Sequence, residues 1–232
     1  MIRHFLPLLL VLAVSTPVLR AQQEEGPPPA PPALYGTIVN GTYISPTGVF
    51  KVQIPVLQEL GGRITDTDSV VTFEDAFNLH ISIAAFPQDA SQRWEMSTRG
   101  TKDYLIYFFS NFVMPDFAQR FEGSKVESAR YLPALQDGAL LTYTLLPGGS
   151  MFVERSTFGD APDKPVVAKR GNILFVKYGH IFVVSTELAE RVLERTTYKK
   201  TVAQEDELLR QRLLDLLAKM DFTKPAAEMG KK

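Results

Sequence analysis

The sequence predicts an α+β fold: a mostly antiparallel sheet of about seven strands, covered by helices on both faces in α/β/α layers. Strand-like segments follow one another closely and are separated by short turns, which favours antiparallel pairing. Two helical segments interrupt and close this series, and a helix with an apolar face must pack on another layer. The chain has 232 residues and is 45% hydrophobic, which is enough for one sizeable core.

Seven segments have the alternation or the β-branched composition of strands. In residues 77–86, Ile81 lies on the face opposite to His80. The last two segments form a predicted hairpin through residues 178–180, where Gly179 can adopt a positive φ without steric cost. The predicted strands are residues 49–54, 69–74, 77–86, 125–132, 138–146, 166–178 and 181–186.

Two segments have helical patterns. Residues 101–114 are apolar on nearly all sides, so we expect a largely buried helix that ends at Pro115. A second helix begins at Thr201, which forms a capping box with Gln204. Its apolar stripe is expected to pack on the sheet and consists of Leu209, Leu213, Leu216, Leu217 and Met220.

The first 21 residues have the parts of a secretory signal peptide. Arg3 and His4 give a positive start, an apolar run covers residues 5–14, and the small Ala21 precedes the expected cleavage site. This run spans only about half of a ~30 Å hydrocarbon core. We therefore expect a secreted or periplasmic protein, cleaved after Ala21, with no integral membrane segment after cleavage. An uncleaved anchor stays open as the alternative.

The remaining chain divides into three predicted parts. Residues 22–33 contain five prolines and no large apolar side chain, which is typical of an extended linker. Residues 34–222 are predicted to form a single domain, because no internal repeat or second linker interrupts them. Residues 223–232 are expected to be a flexible tail.

Composition excludes several function classes. The chain has no cysteine, so disulfides, thiolate metal sites and lipid attachment to an N-terminal cysteine are excluded. Loss of Arg3 and Arg20 with the signal peptide would change the formal net charge from −1 to −3. A nearly neutral chain gives no electrostatic reason to expect binding to nucleic acid or an anionic membrane.

No catalytic, cofactor-binding or metal-binding residue is predicted. His80 and His180 are the histidines that remain after cleavage, but neither has a second ligand at a spacing suited to metal. Asp66-Thr67-Asp68 lacks the glycine and the bidentate glutamate of a calcium loop and predicts a solvated turn. Residues 148–150 (GGS) lack the spacing of a nucleophile elbow or a phosphate-binding loop and also predict a turn.

Two motifs resemble the PsbP-like superfamily, the fold of the extrinsic photosystem protein PsbP and of bacterial envelope proteins such as DcrB. Residues 43–55 read YISPTGVFKVQIP, and residues 170–186 read RGNILFVKYGHIFVVST, followed by a long amphipathic helix and Asp221-Phe222. The resemblance implies an antiparallel sheet between helices and a non-catalytic role in partner binding or assembly. The lipid-attachment cysteine of the envelope lipoproteins is missing, and no motif here matches the ligands of metal-binding members.

These observations lead to three hypotheses. The first is an exported, non-catalytic module that binds another envelope or secreted protein. The second is a carrier of a small apolar ligand, held between the helix of residues 101–114 and the sheet, because that helix is rich in aromatic residues. The third, least favoured, is a hydrolase that uses His80 or His180. A concave site formed near His80, Arg155 and Glu187 would distinguish a site with chemistry from a flat binding surface. The oligomeric state stays open.

Overall fold

The computed structural model describes residues 33–77, 79–151, 167–194 and 197–224. The predicted signal peptide, nearly all of the predicted linker, most of the predicted tail and Arg155 lie outside these ranges. The described residues from Leu34 onward form one compact unit. Within this part of the chain, no helix combines the length and the apolar character needed to span a bilayer.

Strands and helices follow one another in blocks along the described chain: six strands, a helical segment, four strands, two helices and a last strand. The strands are β1 (Thr37–Val39), β2 (Thr42–Ile44), β3 (Phe50–Gln53), β4 (Arg63–Asp66), β5 (Val70–Glu74), β6 (His80–Pro87), β7 (Lys125–Leu132), β8 (Ala139–Pro147), β9 (Val167–Lys177), β10 (His180–Glu187) and β11 (Met220–Phe222). The α-helices are α1 (Ala90–Arg99), α2 (Thr101–Phe108), α3 (Met114–Arg120), α4 (Ala189–Leu193) and α5 (Val202–Leu217). A 3₁₀ turn covers Gln58–Leu60, and a π-helical turn covers Phe109–Val113.

A seven-stranded antiparallel sheet with the order β4-β5-β6-β10-β9-β8-β7 forms the centre of the fold. Helices pack on both of its faces, so the predicted α+β fold class is confirmed. β9 and β10 are joined by a two-residue turn in which Tyr178 and Gly179 have φ of 48° and 69°. Positive φ at both positions is the geometry of a type I′ hairpin, as the glycine in this segment predicts.

One predicted strand belongs to a different sheet. Residues 49–54 were expected in the main sheet, but β3 lies in a separate four-stranded sheet with the order β1-β2-β3-β11. The local alternation was interpreted correctly, since Phe50 and Val52 are buried and the residues between and after them are exposed. β3 pairs with β11, which follows α5 at the other end of the domain. Alternation shows which side chains share a face but does not identify so distant a pairing partner.

Helix α5 and the small sheet cover one face of the large sheet. Thr201 and Gln204 form the predicted capping box, and four residues of the predicted apolar stripe are buried on α5. The fifth, Met220, is also buried, but its place on the helix was predicted wrongly, because α5 ends at Leu217 and Met220 begins β11. α5 approaches the sheet at Gly171, where an added Cβ would lie 3.1 Å from Cδ1 of Leu213 and 3.2 Å from Cβ of Leu209. A side chain at this position of β9 would separate the helix from the sheet.

The opposite face is covered by a helical run that continues beyond its predicted end. α2 passes through the π-helical turn into α3 and ends at Arg120, so the prediction that the helix stops at Pro115 is wrong. Pro115 lies in the first turn of α3, directly after the π-helical turn. The prediction of a largely buried helix is also wrong, because Ile106 and Phe112 are 42% and 50% exposed.

Candidate binding cleft

A cleft of about 610 Å³ lies between the large sheet and the helical residues from the π turn to α3. Small-molecule sites in proteins typically have volumes of roughly 300–1,000 Å³. The apolar wall consists of Val70, Ala84, Phe86, Phe112, Val113, Phe117, Met151 and Val183. The polar side chains that line it are Thr65, Thr72, Glu74, Ser82, Asp116, Arg120, Arg170 and Ser185.

A row of polar side chains crosses the sheet beneath this cleft. Directly opposed residues of neighbouring strands lie on the same face of a sheet. The strand registers align Thr65 of β4, Thr72 of β5, Ser82 of β6, Ser185 of β10, Asn172 of β9 and Thr142 of β8. No apolar residue interrupts the row, so the face of the sheet that is covered by α2 and α3 carries a polar band.

Hydrogen bonds satisfy the buried end of this row. Ser185 Oγ donates to Asn172 Oδ1 at 2.8 Å, and Asn172 Nδ2 donates to Thr142 Oγ1 at 3.2 Å. At the open end, Thr72 Oγ1 donates to the carbonyl oxygen of Thr65 at 3.2 Å. Ser82 lies between these two ends and lines the cleft.

Arg170 is the buried cation of the cleft. Its side chain comes from β9, is 5% exposed, and donates from Nη2 to Ser82 Oγ at 2.6 Å. The guanidinium carbon lies 5.7 Å from the centre of the Phe117 ring, within the range of a cation–π contact. Burial lowers the pKa of Arg170, but an arginine titrates so far above neutrality that the group stays charged.

Glu187 lies opposite Arg170 in the β9–β10 register and is also buried. Its Oε1 is 3.9 Å from Nη1 of Arg170. The carboxylate accepts hydrogen bonds from Ser150 Oγ at 3.0 Å and from the backbone N–H of Met151 at 2.8 Å. Burial raises the pKa of Glu187, although Arg170 and these donors favour the ionised form. Ser150 therefore holds a buried carboxylate in place.

His80 begins β6 and is buried at the same end of the sheet. It pairs with Glu74 in the strand register, and its carbonyl oxygen accepts a hydrogen bond of 2.9 Å from Thr186 Oγ1. Burial lowers the pKa of His80, against the attraction of Glu74 and Asp75. The structure therefore brings His80 and Glu187 to one end of the sheet.

His180 lies elsewhere, so the two candidate histidines are not brought together. It begins β10, at the opposite end of that strand from Glu187, and its Nδ1 is 2.9 Å from the carbonyl oxygen of Tyr178. Among the described residues, no three His, Cys, Asp or Glu side chains form a group that could hold a metal ion.

One solved structure shows the fold of this chain. Cyanobacterial PsbP (CyanoP) from Synechocystis sp. PCC 6803 superposes with a TM-score of 0.50 at 12% sequence identity, over 78% of this chain and 91% of CyanoP. The chain has a PsbP-like fold. The Ran-binding protein Mog1p of Saccharomyces cerevisiae gives a TM-score of 0.46 at 8% identity, over 82% of this chain and 96% of Mog1p.

A third structure, from Bacteroides thetaiotaomicron VPI-5482, gives a TM-score of 0.40 at 12% identity, over 79% of this chain and 48% of that one. No family profile and no curated protein sequence matches the chain. At these identities the likeness to CyanoP shows the fold alone. It confirms the PsbP-like resemblance predicted from the sequence.

The two motifs that carried the resemblance occupy defined places in the PsbP-like fold. Residues 43–55 contain β2 and β3 of the small sheet, and residues 170–186 contain most of the β9–β10 hairpin at the centre of the large sheet. The second motif includes Arg170, Asn172 and Ser185, which belong to the polar part of the cleft or its row.

Sequence reasoning did not identify the polar residues of the cleft and its row. The available signal was weak: Ser82 is a single polar residue between two isoleucines, whereas Asn172 and Ser185 lie next to other non-apolar residues at the ends of apolar runs. Taken alone, each of these residues fits the ordinary alternation of polar and apolar side chains along a strand. They form a site because the strand registers bring them into one row, and registers between non-adjacent strands are not local information.

Proposed function

We propose that the chain is an exported PsbP-like module that binds its target in the cleft and performs no chemistry on it. The observation that carries this proposal is the combination of an open cavity of about 610 Å³ with a buried cation and fixed hydroxyls at its base. Ligand sites are typically concave, mostly apolar and equipped with a few polar groups that orient the ligand. The expected signal peptide would deliver the domain to the periplasm or the exterior.

Our first candidate target is another envelope or secreted protein. Phe112 supports it, since this side chain lines the cleft and is 50% exposed. Its ring packs on Phe108 with the ring centres 5.0 Å apart, which fixes its orientation before binding. Preordered aromatic residues beside a pocket are typical of the positions that dominate binding energy at protein interfaces.

The second candidate function is a carrier of a small apolar ligand. The volume of the cleft favours it, as does the position of the cleft at the end of the predicted helix of residues 101–114, which contributes Phe112 and Val113. Three other aromatic residues of that helix do not support this function, because Tyr104, Phe108 and Phe109 are buried and do not line the cleft.

A variant with a filled cleft tests whether the cleft is the binding site. Ala84 lies on β6 in the cleft wall, so Ala84→Trp should occupy much of the cavity. Val202→Trp is the matched control, because Val202 is 54% exposed at the start of α5 and lines no part of the cleft. Circular dichroism melts of both variants would establish that each is folded.

Wild-type protein and both variants would then be used for capture from envelope extract and for native mass spectrometry. A stoichiometric protein partner that is lost only with Ala84→Trp supports the first candidate. A bound small molecule that is lost only with Ala84→Trp supports the second. Equal binding by a folded Ala84→Trp variant would show that the target binds elsewhere, and turnover of a bound molecule would contradict the non-catalytic role.

A further inference from the structure

We infer that the cleft binds an uncharged amphipathic ligand, with a polyhydroxylated head group on the polar part of its floor and an alkyl body on the apolar part. This inference rests on the proposed function, because it takes the cleft as the binding site. It adds the chemical class of the ligand. Three features of the cleft support it: the order of side chains along its floor, its hydrogen-bond acceptors and donors, and the exposed aromatic ring in its wall.

The floor of the cleft changes from polar to apolar along the strands. The registers of β5, β6 and β10 place Thr72, Ser82 and Ser185 in one row, and Val70, Ala84 and Val183 in the next row on the same face. Residues two apart on a strand are separated by roughly 7 Å. Glu74 extends the polar end on β5. A ligand that lies along the strands therefore meets polar groups at one end and aliphatic side chains at the other.

The three hydroxyls of the polar row have different hydrogen-bonding roles. Thr72 donates its proton to a backbone carbonyl oxygen, and Ser185 donates its proton to Oδ1 of Asn172. Both oxygens can still accept a hydrogen bond. Ser82 Oγ accepts a hydrogen bond from Arg170, so its own proton can be donated to a ligand. Across β5, β6 and β10 the row therefore offers an acceptor, a donor and an acceptor.

Two carboxylates add further acceptors to the cleft. Oε1 of Glu74 accepts a hydrogen bond of 2.6 Å from Nε of Arg63, and Oδ1 of Asp116 accepts one of 3.3 Å from Nε of Arg120. A carboxylate has lone pairs for about four hydrogen bonds, so both groups can also accept from a ligand. The adjacent guanidinium groups reduce the advantage of a cationic ligand over a neutral one. Arg120 and Arg170, the cations that line the cleft, are engaged by other groups of the protein.

Alternating acceptors and donors suit hydroxyl groups on the ligand. A hydroxyl both donates and accepts, so the hydroxyls of one head group can donate to Thr72 and Ser185 and accept from Ser82. An ammonium group has no acceptor for the Ser82 proton, and a carboxylate has no proton for the two acceptors. Polar groups that are buried by a ligand and left unpaired cost free energy, and a polyhydroxylated head group avoids this cost.

The wall of the cleft suits the apolar parts of such a ligand. Phe112 is 50% exposed, and its ring packs on Phe108 with the ring centres 5.0 Å apart. Val113 and Phe117 line the same wall. Covering apolar surface that is open to solvent is favourable, so this wall should stabilise an alkyl chain or the C–H face of a sugar ring.

The test uses octyl β-D-glucoside, its tetra-O-methyl ether and octanoate, each below its critical micelle concentration. The ether keeps the sugar ring and the alkyl chain but has no hydroxyl donor. Isothermal titration of the full chain should give a dissociation constant for the glucoside at least about tenfold below those for the ether and octanoate, the ratio expected when one buried acceptor is left unpaired. Because the ligand is uncharged, added salt should change the glucoside constant by less than about twofold.

Thr72→Val tests the polar row directly, because it removes one acceptor and keeps the shape of the side chain. It should weaken the glucoside severalfold and leave the ether unchanged. Thr37→Val is the matched control, because Thr37 is an exposed residue of β1 that lines no part of the cleft. It should change neither constant. Circular dichroism melts of both variants would establish that each is folded.

Equal affinity for the glucoside and the ether, or tighter binding of octanoate, would overturn the ligand class and leave the cleft as a binding site. Glucoside binding that is unchanged in Thr72→Val, or that persists in folded Ala84→Trp, would also overturn the inference, because the head group would then bind elsewhere. No binding of any probe, with capture of a protein partner still sensitive to Ala84→Trp, would overturn the inference alone. The proposed function fails separately, if probe binding and partner capture are both unaffected by Ala84→Trp.

Discussion

The hydroxyl of Tyr43 donates a hydrogen bond of 2.7 Å to Oδ2 of Asp66, and this bond joins the small sheet to the edge of the large one. The same carboxylate accepts hydrogen bonds from the backbone N–H groups of Tyr35 at 3.0 Å and Gly36 at 2.8 Å. Burial raises the pKa of Tyr43, and the bond to Asp66 raises it further. Asp66, expected in a solvated turn, is the last residue of β4 and anchors the N-terminal hairpin.

Asp66→Ala should destabilise the domain by about 2–4 kcal/mol, because three donors lose a charged acceptor. Tyr43→Phe should lower the free energy of unfolding by about 1–2 kcal/mol. The loss in the double variant should be smaller than the sum of the two single losses by about 1 kcal/mol or more. Urea unfolding followed by circular dichroism would measure all three. Additive effects would mean that the two residues stabilise the fold independently. Asp68→Ala is the control, since it changes the neighbouring carboxylate and should have little effect.

Lys169 is a buried cation on the face covered by α5. Its side chain is 0% exposed, and Nζ lies 2.5 Å from Glu127, 2.5 Å from Asp206 and 3.2 Å from Glu205. Burial lowers the pKa of Lys169, but its hydrogen bonds to the three carboxylates more than compensate and raise it overall. The cluster connects β7 and β9 to the first turn of α5.

Lys169→Met should cost about 3–5 kcal/mol in the free energy of unfolding, because it leaves carboxylates partly buried without their cation. The exposed pair of Arg210 and Glu207 provides the control, and Arg210→Met should leave the free energy of unfolding nearly unchanged. Since the folded pKa of Lys169 is raised, its contribution should be complete below about pH 10 and decline as the pH rises through that pKa. A loss below about 1 kcal/mol at neutral pH would contradict this role.

His80 gives a prediction for acidic conditions. Burial lowers its pKa, so the folded protein binds fewer protons than the unfolded chain, in which histidine titrates near about pH 6.5. The free energy of unfolding should therefore fall as the pH decreases from about 6.5 to the folded pKa, by up to about 1.4 kcal/mol per pH unit. The charged groups that act on the ring, besides burial, are Glu74, Asp75, Arg170 and Glu190.

The difference in the free energy of unfolding between wild type and His80→Gln isolates this effect, because all other titrating groups are common to both proteins. Urea unfolding between pH 5 and 8 should give a difference that depends on pH below about 6.5 and is constant above it. His180→Gln, at the opposite end of the sheet, is the matched control for the loss of an imidazole. A constant difference for His80→Gln would show that folding does not change the pKa of this ring.

Features encoded by neighbouring residues were predictable from the sequence. The capping box at Thr201 and the turn at Gly179 depend on side chains and φ angles within a few residues. The short strands β1, β2, β4 and β11 were not predicted. They have three or four residues each, and tertiary contacts such as the bond between Tyr43 and Asp66 stabilise them.

The candidate site was less predictable than the fold. The prediction that His80 and Ile81 lie on opposite faces of the sheet is correct. Ile81 packs in the core with α5, and His80 lies on the other face with Ser82. The role of Arg170 depends on α3, whose continuation past Pro115 contradicts the local preference of proline. A cleft formed by two elements distant in sequence has no local signal, so residues that line it resemble ordinary strand residues.

Gly171 provides the last prediction, since it sets the distance between β9 and α5. An alanine Cβ there would lie 3.1 Å from Cδ1 of Leu213 and 3.2 Å from Cβ of Leu209, closer than most carbon contacts in folded proteins. Gly171→Ala should therefore cost about 1–3 kcal/mol by overpacking, and Gly171→Val more. Leu213→Ala alone should cost about 2–5 kcal/mol through the cavity it leaves. Because the new methyl group fills part of that cavity, the double variant should be more stable than the sum of the single effects predicts. Chemical unfolding of the four proteins measures this coupling, and additivity within about 0.5 kcal/mol would show that α5 does not pack on Gly171.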